Sequence, residues 1–93
     1  MSKSQVSDAL GTISRDRVVE IARTLCSVKQ PAEGKEGPLA EVVANMLDHA
    51  RVEIHVDPVL PGRPNVIARV RGSGTGPSLL LNGHLDFGYA PSA

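Results

Sequence analysis

The sequence predicts an α/β fold in which two helices lead into three strands. Three observations carry this expectation. Leu39, Val42, Val43, Met46, Leu47 and Ala50 recur at i, i+3, i+4, i+7, i+8 and i+11, the spacing of one buried helix face. The period then falls to two, with Val52, Ile54 and Val56 alternating with Glu53, His55 and Asp57. Leu79-Leu80-Leu81 runs without alternation, the pattern of a strand covered on both faces inside an α/β sheet.

Residues 1–13 read as a polar lead. Ser14 is placed to cap the first helix, with Asp16 in its first turn where the helix dipole favours negative charge. Val18, Ile21, Ala22, Leu25 and Cys26 give that helix an apolar stripe, so Cys26 is expected in the core. It is expected to stop near Val28, because Gln30 precedes Pro31. Residues 31–38 hold two prolines, two glycines and three charges and read as an exposed loop, with Glu33 and Glu36 solvated beside Lys35.

The second helix starts at or near Pro38, which suits a first helical turn, and runs for about 18 Å towards Ala50. Strands are expected over Val52–Val56, Asn65–Arg71 and Ser78–Leu81. Pro58–Pro64 and Gly72–Pro77 are the turns between them. The glycines of 72–76 lack a following Gly-Lys-Ser/Thr and lead into a strand, so a hairpin-type connection is expected and not a phosphate loop. Arg63, between Gly62 and Pro64, reads as a rim arginine in water, with anion binding as the alternative. His49 and His55 read as solvated.

Composition narrows the function. Ten basic residues balance ten acidic ones, leaving no net field to hold nucleic acid or an anionic membrane. No apolar run approaches the roughly 18 residues that span a bilayer. The polar amino terminus begins no signal-peptide pattern, so a cytoplasmic location is expected. A single cysteine rules out an internal disulfide framework and a multi-thiolate zinc cage. Only two residues are aromatic, Phe87 and Tyr89, so the core must be aliphatic. A strand covered on both faces needs helix layers on each side, and two helices barely supply them. The expectation is the first part of a larger α/β domain, spanning residues 14–93 here.

The candidate site is Asn82-Gly83-His84-Leu85-Asp86, at the carboxyl end of the leucine run. Ligands gather beyond the carboxyl ends of strands in open α/β sheets. A neutral imidazole is the commonest metal ligand, and a nearby carboxylate often fixes its tautomer. Asp86 is placed to do that or to bind a metal itself. Gly83 lets the backbone pass close to whatever His84 holds. Taken alone, the His-x-Asp spacing more often describes a loop closed by a hydrogen bond.

Gly62-Arg63-Pro64-Asn65-Val66-Ile67-Ala68-Arg69-Val70, a glycine-rich turn, and Leu79-Leu80-Leu81-Asn82-Gly83-His84-Leu85-Asp86 together resemble the beginning of an M20-family metallohydrolase. The order of elements before this block is similar too. The family includes acetylornithine deacetylase, succinyl-diaminopimelate desuccinylase, aminoacylase and glutamate carboxypeptidase. The resemblance implies a three-layer α/β/α zinc-hydrolase domain and hydrolysis of amide or peptide bonds in N-acyl amino acids or small peptides. It also implies a zinc or cobalt ion ligated by His84, with Asp86 as the active-site residue that holds the imidazole, and homodimers among the full-length enzymes.

Two departures from the family pattern stand out. After Asp86 the family continues with a small residue and commonly Val-Pro, whereas Phe87-Gly88-Tyr89 follows here. The family's bridging carboxylate, paired glutamates and late histidine lie further along than Ala93. A catalytic zinc takes about three protein ligands. With two donors at most, these residues are expected to be inactive by themselves. The other expectations from length are a non-catalytic α/β binding module and one chain of a split enzyme.

Overall fold

The computed structural model describes residues 2–30 and 34–86. The elements run α1 (Lys3–Gly11), α2 (Arg15–Ser27), α3 (Gly37–Leu47), β1 (Val52–Leu60) and β2 (Arg63–Val70). Helices therefore precede strands, as the period change predicts. Part of the expected 31–38 loop and both aromatic residues lie outside the described residues.

The lead expected at 1–13 is largely helical. Ser2 Oγ accepts from the Gln5 amide at 3.1 Å while Gln5 Oε1 accepts from the Ser2 amide at 2.7 Å, a reciprocal capping box. Ser2-x-x-Gln5 is the sequence signal for it, and Val6, Leu10 and Ile13 are the start of a helical stripe. Among the described residues α1 packs against no other element, and that stripe is exposed.

Helix α2 begins as expected, with Ser14 Oγ accepting from the Arg17 amide at 3.3 Å and Asp16 in the first turn. Its stripe is only half-covered. Ile21 and Leu25 are intermediate in burial, whereas Cys26 is exposed and not a core residue. Helix α3 carries Pro38 in its first turn and ends at Leu47, one turn short of Ala50. It packs on both strands, and its Leu39 and Ala40 are the buried apolar residues.

β1 and β2 form an antiparallel pair with Val52 opposite Val70, Ile54 opposite Ala68 and Val56 opposite Val66. Each strand is longer than its alternation predicts, because the ladder continues past Asp57 through an irregularity to Leu60 opposite Arg63. Pro58 and Pro64 both fall in that irregular stretch, where a missing N–H removes no regular ladder bond. Pro61-Gly62 closes the hairpin. Gly62 has φ +72°, which glycine alone adopts without penalty. A Cβ there would also lie 2.9 Å from Lys35 Cδ.

The expected third strand is not formed. Residues 77–86 carry no helix or strand, and Leu79, Leu80 and Leu81 are 83%, 87% and 84% exposed. A strand exists only by pairing, and among the described residues no strand pairs with this run. The glycine-rich 72–77 stretch is accordingly a bend and not a hairpin turn.

Helix α3 is fastened to the hairpin by a polar cluster. Arg63 Nε donates to Glu36 Oε2 at 3.0 Å and Nη2 to Oε1 at 2.8 Å, a two-pronged pair. The Gly37 amide donates to the Gly62 carbonyl at 3.0 Å, and Lys35 Nζ to the Pro61 carbonyl at 3.2 Å. Glu36, expected in water, is 5% exposed, and Arg63, still exposed at the rim as expected, is its partner. The guanidinium holds the Glu36 carboxyl below its ordinary value of 4.5, against the desolvation that works to raise it.

A group whose folded pKa is lowered stabilises the fold above its ordinary pKa and loses that contribution as pH falls through the lowered one. The urea midpoint is therefore expected to fall with acidification below about pH 4.5 in the native chain, and Arg63→Ala to lower the midpoint at neutral pH and flatten this slope. Gly62→Ala forces a left-handed backbone onto an L-residue and is expected to cost about 1–2 kcal/mol in the same unfolding measurement.

Candidate metal-ligating site

Residues 80–86 form one wall of an open cleft of about 480 Å³, and residues 64–68 of β2 form the other. Helix α3 contributes Val43 to the lining, and the Glu36–Arg63 pair closes one part of it. The lock at the start of α3 thus borders the cleft that the His-x-Asp segment lines.

His84 and Asp86 come together in the structure. His84 Nδ1 lies 2.7 Å from the Asp86 carbonyl oxygen and 3.3 Å from Asp86 Oδ1. A carbonyl only accepts, so the proton of the neutral ring belongs on Nδ1. That leaves the lone pair on Nε2, the nitrogen that faces away from Asp86. The ring is 84% exposed and the Asp86 side chain 64%, so Nε2 is accessible. The orienting contact comes chiefly from the main chain of Asp86, with its carboxylate at the longer distance, a division the spacing alone did not foretell. Gly83 meets nothing within 4 Å of an added Cβ, so no close approach explains it in these residues.

The donor set fits one ligand position of a zinc or cobalt centre. An imidazole fixed through Nδ1, with a free Nε2 and an adjacent carboxylate, is the usual form of a metal-binding histidine. Among the described residues no group of three or more His, Cys, Asp or Glu side chains converges to complete a centre. The other two histidines lie elsewhere. His49 Nδ1 accepts from the Arg51 amide at 3.2 Å at the end of α3, and His55 is exposed on β1.

No protein-family model matches the chain. Among curated proteins it is similar to the N-formyl-4-amino-5-aminomethyl-2-methylpyrimidine deformylase of Bacillus subtilis (strain 168), 31% identical over 77 residues. That overlap covers 77% of this chain and 18% of the deformylase, so the chain spans less than a fifth of the relative's length. No solved structure matches. Among the described residues no helix is long and apolar enough to cross a membrane.

The tautomer is directly measurable. Nitrogen-15 chemical shifts of His84 at a pH where the ring is neutral are expected to show Nδ1 protonated and Nε2 bare. A ring that is mostly Nε2–H, or an even mixture, contradicts the geometry.

Proposed function

We propose that these residues are the amino-terminal part of a metal-dependent amide hydrolase of the M20 type, residues 14–93 belonging to its catalytic domain. The observation that carries the reading is the His84 ring, tied through Nδ1 to Asp86 with Nε2 open, at the end of the leucine run. The similarity to a deformylase supports it, because an N-formyl group is itself an amide and its removal is amide hydrolysis. The substrate class is a small N-acyl compound, such as an N-acyl amino acid or short peptide, in a cytoplasmic enzyme that neither nucleic acid nor membrane engages. A homodimer is the assembly such a reading implies.

In this reading each residue has a defined task. His84 gives its Nε2 lone pair to a zinc or cobalt ion. Asp86 holds the ring through its carbonyl and carboxylate, which fixes the tautomer and raises the basicity of Nε2. A metal bound there supplies Lewis acidity toward the amide carbonyl and lowers the pKa of a bound water. The residues that complete the centre and handle protons belong to the polypeptide beyond Ala93. The 93 residues alone therefore hold metal weakly and do not turn over substrate.

Metal titration of the whole hydrolase tests this. His84→Ala is expected to abolish one metal equivalent or weaken it by well over 100-fold, and Asp86→Ala to weaken it by about 10–100-fold. Zinc affinity unchanged by His84→Ala would remove the reading.

A further inference from the structure

We draw no further inference here: the strongest candidate, the exposed apolar stripe of Val6, Leu10 and Ile13 along helix α1, which packs against no other element among the described residues, carries nothing because nothing in the structure shows what covers it.

Discussion

The two-pronged pair between Glu36 and Arg63 is the constraint on which the rest of the described structure depends. It joins the start of α3 to the hairpin turn, two segments 27 positions apart in the chain. Around it the Gly37 amide and the Lys35 ammonium bind the carbonyls of Gly62 and Pro61, so the turn is held from three directions. Glycine at 62 is what allows this approach, both through its positive φ and through the room it leaves for Lys35. With the turn fixed, α3 lies along the hairpin, and Glu36 and Arg63 stand in the lining of the cleft beside β2.

Polar fastening of this kind positions elements but does not supply a core. Among the described residues Leu39 and Ala40 are the buried apolar side chains, and Glu36 is buried as well. The radius of gyration is 16.1 Å, against about 12 Å for a compact domain of this length, and the long axis reaches 49 Å. Val56, Ile67, Val70 and the three leucines are each exposed, apolar side chains that water would ordinarily drive under cover. The helices and hairpin form from local pairing and capping, and among the described residues no further layer encloses them.

That division explains what was legible in the sequence. Helices α2 and α3 and the hairpin came from periodicity, Ser14 and Pro38, all of them local signals that act within a few residues. Helix α1 rests on equally local signals, Ser2 and Gln5, but the polar residues between Val6, Leu10 and Ile13 disguise its short stripe. Cys26 and Leu79–Leu81 failed for the opposite reason, since their pattern describes burial in a finished domain and the described residues contain nothing to bury them. The burial of Glu36 and its pairing with Arg63 were not legible, because their meeting depends on tertiary approach across 27 positions, which neither the loop composition around Glu36 nor the turn around Arg63 displays. The His84–Asp86 pairing was readable from spacing, but the share taken by the Asp86 carbonyl was not.

The chemistry of the site reduces to one ring nitrogen. Hydrogen bonding at Nδ1 determines that Nε2 carries the lone pair, exposure leaves it reachable, and among the described residues no group of three or more His, Cys, Asp or Glu side chains converges there. Proton NMR of the cobalt(II)-loaded whole product addresses this most directly, because a ligated imidazole that keeps its other N–H gives a strongly shifted, solvent-exchangeable resonance. The account predicts one such N–H signal that disappears in D₂O and is absent from His84→Ala. A set of shifted N–H signals that survives this substitution unchanged would contradict it.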